Sequence, residues 1–196
     1  MDAAAGPGLA GVKPRLATAD DAAAIASIYA PYVLATAVSF ETTAPDAAEM
    51  ARRIEAGAAD YPWLVGCGED GAILGYAYAS AFRPRPAYRF TVETSAYVAD
   101  GTHGRGIGRS LYTLLLALLK AQGFAQAIAA ITLPNEASVA LHEKLGFVRI
   151  GTYERVGFKF GEWRSVGLWQ CPLAKLSAHP KEPKPVSAVW EALAPN

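Results

Sequence analysis

Apolar residues recur along this chain in two rhythms, one of three to four residues and one of two. Behind Asp20-Asp21, the positions Ala24, Ile25, Ile28, Tyr29 and Tyr32 keep the helical rhythm, and the aspartates supply a cap. A second helix is predicted over Asp46 to Ala58, after an irregular loop from Thr36 to Pro45. Trp63 to Gly68 and Ile73 to Ala81 flank the turn signal Glu69-Asp70-Gly71 and read as a hairpin. Beyond the proline-broken Arg83-Pro84-Arg85-Pro86, the stretch Arg89 to Ala99 alternates as a strand. Leu111, Leu114, Leu115, Leu118 and Leu119 mark an amphipathic helix that Gly123 ends. Ala127 to Leu133 predicts a further strand, Asn135 caps a helix stopped by Gly146, and Phe147 to Arg155 and Trp163 to Leu173 are the last strands. With Arg15 to Ala17 as a short first strand, the order is β-α-α-β-β-β-α-β-α-β-β. This pattern predicts an α/β (α+β) fold, a mixed central sheet flanked by helices, in one domain over 14–173. Residues 1–13 are expected as a flexible leader, and 174–196, with Pro180, Pro183 and Pro185, as a tail that is mobile as far as Val189-Trp190.

Composition narrows the classes. At 196 residues, 52% of them hydrophobic, the chain can bury a substantial core. Its 18 basic and 18 acidic residues cancel, which leaves no electrostatic footprint for nucleic acid or an anionic membrane. Cys67 and Cys171 lie in apolar contexts without metal-ligand spacing, so buried thiols and no metal site are expected. Met1 to Lys13 lacks the basic start and apolar core of a signal peptide, and no apolar run approaches the roughly 20 residues of a membrane helix. A cytoplasmic protein is expected.

Candidate chemistry concentrates in three places. Gly104-Arg105-Gly106-Ile107-Gly108 follows a strand and opens a helix, a device that brings backbone N–H groups and a helix dipole to phosphate oxygens. In the preceding strand, Thr91, Glu93, Ser95 and Tyr97 share one face, and Glu93 is a carboxylate close to the phosphate loop, able to accept a proton directly or through water. On an arbitrary strand the same carboxylate would simply be solvated. At about 100° per residue, Asn135 and His142 lie roughly 20° apart on their helix, with Ser138 on the same stripe. Taken alone, Asn135 is a helix cap and His142 an exposed histidine. Phe82-Arg83-Pro84-Arg85-Pro86-Ala87-Tyr88-Arg89 gathers three arginines and two aromatics, enough to clamp a substrate carboxylate or phosphinate or to form an ordinary solvated loop.

Together these motifs resemble the GNAT-fold N-acetyltransferases. His103-Gly104-Arg105-Gly106-Ile107-Gly108 stands where that family has Gln/Arg-x-x-Gly-x-Gly/Ala, and departs at its first position. Within the family the chain is most similar to the phosphinothricin and methionine sulfoximine N-acetyltransferases, from about Arg15 to Leu173. The specific signs are Ile28-Tyr29 with Thr36 to Phe40, Gly75 to Ala79, Thr91 to Val98, Leu141 to Phe147 and Val156 to Trp163. The resemblance implies that acetyl-CoA lies against Ala96, Tyr97 and Val98, with its pyrophosphate at Gly104, Arg105, Gly106, Ile107, Gly108 and Arg109. Asn135 and Ser138 would flank the pantetheine arm. Glu93 matches the family's general base, and His142 a histidine near the thiolate, either a proton donor or a cofactor contact. Phe40, Arg83, Ala87 and Tyr88, with Glu93, match the substrate-facing region. The implied reaction is direct acetyl transfer to the α-amine of a small glutamate- or methionine-like amino acid. The herbicide in the family name can be incidental to the cellular substrate. The alternatives are another amine (a polyamine, an aminoglycoside or a protein N-terminus) or a non-catalytic acyl-CoA sensor. Relatives of the subgroup are commonly homodimers, and the hairpin Phe158 to Trp163 is a candidate interface or active-site cover.

Overall fold

A computed structural model describes residues 12–195. The chain runs β1 (Lys13–Leu16), α1 (Ala22–Leu34), α2 (Ala47–Gly57), β2 (Trp63–Cys67), β3 (Ile73–Ala81) and β4 (Thr91–Val98). It continues through α3 (Ile107–Gln122), β5 (Gln126–Thr132), α4 (Glu136–Lys144), β6 (Val148–Lys159), β7 (Glu162–Pro172) and α5 (Ser187–Leu193). The element order expected from the hydrophobic rhythm is present, with α5 added.

Local chemistry accounts for most boundaries. The Asp46 side chain accepts the Glu49 N–H at 2.8 Å and starts α2, and the Asn135 side chain accepts the Ser138 N–H at 3.2 Å and starts α4. Gly123, at φ 101°, ends α3. Asp21 behaves differently from the expected cap. It is buried, pairs bidentately with Arg15 at 2.7 Å and accepts the Thr18 N–H, so it fastens β1 to the start of α1. The Arg15 guanidinium beside it holds its carboxyl below the usual range.

The seven strands lie in the order β1-β2-β3-β4-β5-β7-β6, antiparallel except where β4 meets β5. One face carries α3, whose Leu111, Leu115, Leu118 and Leu119 are fully buried against Ala77, Val92, Ala127 and Trp169. The other face carries α1 and α2 over a layer of aromatics, with Trp63 stacked on Tyr78 at 4.2 Å and Tyr76 on Tyr97 at 5.4 Å. The parallel seam holds three residue pairs, Thr91↔Gln126, Val92↔Ala127 and Glu93↔Ile128. Past Glu93 the two strands diverge while each keeps its antiparallel partner on the far side, β3 for β4 and β7 for β5. A wedge opens between them.

Two expectations about the ends need correction. Residues 1–11 of the expected leader lie outside the described residues, but Lys13 belongs to β1, paired with Cys67. The expected mobile tail is docked. Val186 and Val189 are buried, the Val186 N–H bonds to the Ala59 carbonyl, and Gln122 Nε2 donates to the carbonyls of Lys184 and Asp60, both at 2.8 Å. Val186, Val189 and Trp190 keep helical spacing and seat α5 at the end of α3; the prolines upstream straighten the approach without preventing that burial.

Candidate active site

The wedge is lined by Val38, Thr94, Ser95, Ala96, Tyr97, Ala129 to Thr132, Asn135, Ser138 and His142. Backbone direction makes it polar along its edge. The Ala99 N–H bonds to the Leu74 carbonyl on the β3 side, so alternation turns the peptide groups of Ala96 and Val98 toward β5, where no strand pairs with them. Of the expected cofactor residues, Ala96, Tyr97, Asn135 and Ser138 therefore meet in one cleft.

The glycine loop lies beyond the end of β4. Gly104 and Gly106 take the left-handed conformation, at φ 77° and 80°. Gly106 is the N-cap of α3 and has no side chain to occupy the first-turn N–H groups. These donors, with the exposed Arg105 and Arg109 beside them, fit a phosphate ligand. Tyr32 on α1 braces the approach: its hydroxyl donates to the Val98 carbonyl at 2.7 Å and lies 3.0 Å from His103 Nε2. One phenolic proton cannot serve both, so Nε2 donates to the Tyr32 oxygen. His103, the position that departs from Gln or Arg, thus ties the loop to α1.

The floor of the wedge is a hydrogen-bonded file. His142 Nδ1 lies 2.7 Å from the Ser138 carbonyl, which can only accept, so Nδ1 carries the proton. Nε2 lies 2.8 Å from the Tyr112 hydroxyl, which in turn lies 2.7 Å from Thr94 Oγ1. Burial pushes the His142 imidazole pKa down, which favours the neutral ring. The Tyr112 hydroxyl donates to Thr94 Oγ1, and the same hydroxyl lies within reach of Nε2, so its one proton can serve either acceptor. The polar stripe Asn135, Ser138, His142 therefore faces inward, and His142 is 5% exposed rather than solvated.

Glu93 stands at the apex, in the last paired position of the seam and on the α1/α2 face, opposite Ser80 on β3. It is half-buried, and burial raises its carboxyl pKa while Arg83, with Nη1 3.7 Å away, pulls it back. Arg83 also donates to the Phe82 carbonyl and lies over the Phe82 ring, which meets Tyr88 edge-on at 5.5 Å. Ala87 and Tyr88 occupy the short 3-10 turn Pro86–Tyr88 at the rim. Arg89 points elsewhere and pairs with Glu182 at 2.9 Å. Phe40 lies across Gly157 of β6, whose missing side chain leaves room for the ring.

Sequence reasoning missed Tyr112, Thr94, Tyr32 and Lys159. Tyr112 had a signal, a hydroxyl amid the leucine stripe of α3 that must find a buried partner. Lys159 had none in its own neighbourhood.

Known proteins resemble this chain in sequence and in fold. The family model described as Acetyltransferase (GNAT) domain matches residues 15–165. The phosphinothricin N-acetyltransferase of Streptomyces viridochromogenes is 40% identical over 178 residues, 91% of this chain and 96% of that protein. The phosphinothricin N-acetyltransferase of Alcaligenes faecalis is 45% identical over 161 residues, 81% of each chain. The crystal structure of a GNAT superfamily phosphinothricin acetyltransferase from Sinorhizobium meliloti in complex with AcCoA superposes with a TM-score of 0.82 at 42% identity, over 88% of this chain and 94% of that one. A GNAT wedge, a left-handed glycine cap and these likenesses lead to one conclusion: the chain belongs to the GNAT acetyltransferase family.

Proposed function

We propose that this protein transfers the acetyl group of acetyl-CoA to the α-amine of a small amino acid of the phosphinothricin or methionine sulfoximine type. The observation that carries the reading is Glu93 at the wedge apex, with a guanidinium beside it and a phosphate-binding loop at the far end of the same strand. The α3 N-terminus and the loop Gly104 to Arg109 would hold the pyrophosphate. The β4 edge toward the Val98 N–H, with Asn135 and Ser138 across the wedge, would take the pantetheine arm.

Bound acetyl-CoA supplies a thioester carbonyl with a thiolate leaving group. A substrate ammonium has no free lone pair, so Glu93 takes its proton through a water, and the free amine attacks the carbonyl carbon. The C–S bond then breaks, CoA leaves as the thiolate, and the second proton on the nitrogen passes to that thiolate as the amide forms. The Ala96 N–H, turned into the wedge and nearer to Glu93 along β4, is suited to the carbonyl oxygen. His142, with both ring nitrogens engaged, serves by orienting Tyr112 and Thr94 rather than by direct protonation of the thiolate. Arg83 meets the substrate carboxylate, with Ala87, Tyr88 and Phe40 around the side chain.

A polyamine or an aminoglycoside is a polycation, poorly matched to a rim bearing Arg83 and Arg85. The test is thiol release from acetyl-CoA with phosphinothricin, methionine sulfoximine, glutamate, methionine and spermidine in parallel. Turnover with the first two and none with spermidine is expected. Turnover with spermidine alone overturns the substrate class, and tight acetyl-CoA binding without turnover of any amine returns the sensor reading.

The working unit is proposed to be a homodimer. β6 is the last strand of the sheet, and Val148, Ile150, Tyr153, Val156, Phe158 and Trp163 are each about half exposed or more along this hairpin. Light scattering on the eluting protein should give twice the chain mass, and Ile150→Lys should shift it toward one chain.

A further inference from the structure

Lys159 is an unusual place for a charge. Its side chain is 6% exposed near the tip of the β6–β7 hairpin, and its Nζ donates to two backbone carbonyls, Val33 at 2.6 Å and Ser39 at 2.7 Å. Val33 lies in the last turn of α1, where carbonyls lack helical partners and the dipole favours a cation. Ser39 lies in the loop between α1 and α2, directly before Phe40. The centre of the Phe160 ring lies 5.1 Å from Nζ, within cation–π range. Glu41 is the acidic group facing it, but Glu41 is itself taken up bidentately by Arg53 at 2.8 and 3.1 Å.

Both flanks of Phe40 are therefore tied. On one side Ser39 Oγ meets the Tyr29 hydroxyl at 2.6 Å and the Ser39 carbonyl meets Lys159. On the other side Glu41 meets Arg53 and Tyr29. One residue further back, the Val38 carbonyl accepts from Thr132 of β5 at 3.3 Å, and Val38 lines the wedge. The ties from Tyr29 and Arg53 come from α1 and α2, on the loop's own side. Lys159 reaches it from β6, the strand that also carries Gly157, against which the Phe40 ring rests. A Cβ at Gly157 would fall within that ring, so the ring and the strand are in close register.

We infer that Lys159 is a positioning residue of the amine site, fastening the α1–α2 loop to β6 so that Phe40 is held beside the wedge. Lysine suits the task because one compact ammonium offers three donors, enough to join two carbonyls from different segments at one point. An apolar residue of equal length would fill the space but leave both buried carbonyls without a donor. The loop would then keep its ties to α1 and α2 and lose its register with β6.

The inference rests on the reading that Phe40 faces the amine, and four proteins separate the two. The wild type, Phe40→Ala, Lys159→Met and the double variant are compared by KM for phosphinothricin and for acetyl-CoA. Phe40→Ala should raise the amine KM about tenfold with the acetyl-CoA KM unchanged. Lys159→Met should do the same, and the double variant should be no worse than Phe40→Ala alone, because both act through one ring. If Phe40→Ala raises the amine KM and Lys159→Met does not, or if the two effects multiply, the positioning role is overturned. If Phe40→Ala leaves the amine KM unmoved, the placement of Phe40 in the amine site fails first. A purely structural lysine would lower the melting temperature without separating the two KM values. Should Lys159→Met fail to fold, Lys159→Gln, which keeps two N–H donors on a shorter stem, is read by the same cycle.

Discussion

Glu93→Gln should lower kcat/KM for the amino acid by about 10²–10⁴-fold, with acetyl-CoA affinity unchanged. Glutamine keeps the shape of the side chain and its place at the wedge apex, so what is lost is the capacity to accept a proton. The pH dependence gives the same role a second signature. Burial raises the Glu93 carboxyl pKa and Arg83 lowers it, with burial the larger influence. A base works only when ionised, so wild-type kcat/KM should fall as pH drops through the raised pKa and should be fully present above it. In Glu93→Gln that acid limb should disappear. A variant that turns over normally with its acid limb intact would remove Glu93 from the base role, while equal loss of acetyl-CoA binding would mark it as structural.

Arg83→Gln should raise the KM for a carboxylate-bearing amine by about 10–100-fold, the range of one lost charge-assisted hydrogen bond. Arg83 is the rim arginine that faces Glu93; Arg89 is held by Glu182 and lies over Phe90. The substitution also acts on the base. Removing the cation removes the influence that lowers the Glu93 pKa, so the acid limb should move to higher pH. Because the Arg83 side chain is 44% exposed, solvent screens that influence and the displacement should be modest. The matching amine without its carboxylate is the control, since it has nothing for Arg83 to hold. Its kcat/KM should hardly change at a pH well above the limb. An equal loss for both amines would place Arg83 in loop structure rather than in substrate recognition.

Much of this was legible in the chain. The helical stripes of α1 and α3, the cap at Asn135 and the stop at Gly123 are local signals, each enforced within a few residues, and the structure keeps them. Non-local features were harder to see. No periodicity says that β4 and β5 pair over only three positions, because that length depends on β3 and β7 holding the outer edges. Alternation alone puts Glu93 on one face of β4 with Ser95 and Tyr97, but its nearness to Arg83 depends on how the Pro-rich loop folds back. Helical spacing alone puts Asn135, Ser138 and His142 on one stripe, yet that the stripe turns inward rests on contacts such as Tyr112, thirty positions away on another helix. The docked tail was missed because its prolines dominate its composition, while the burial comes from two valines further on.

The brevity of the parallel seam has a mechanical consequence. A continuous ladder spreads load evenly across a sheet, whereas here β1 to β4 and β5 to β7 meet edge to edge through three residue pairs. Elsewhere the two halves are kept together by helices and loops that span them, so the join is a compliant line in an otherwise stiff plate. A slender polar chain lying along that line would act as a splint, stiffening the molecule each time it is loaded and restoring the compliance each time it leaves.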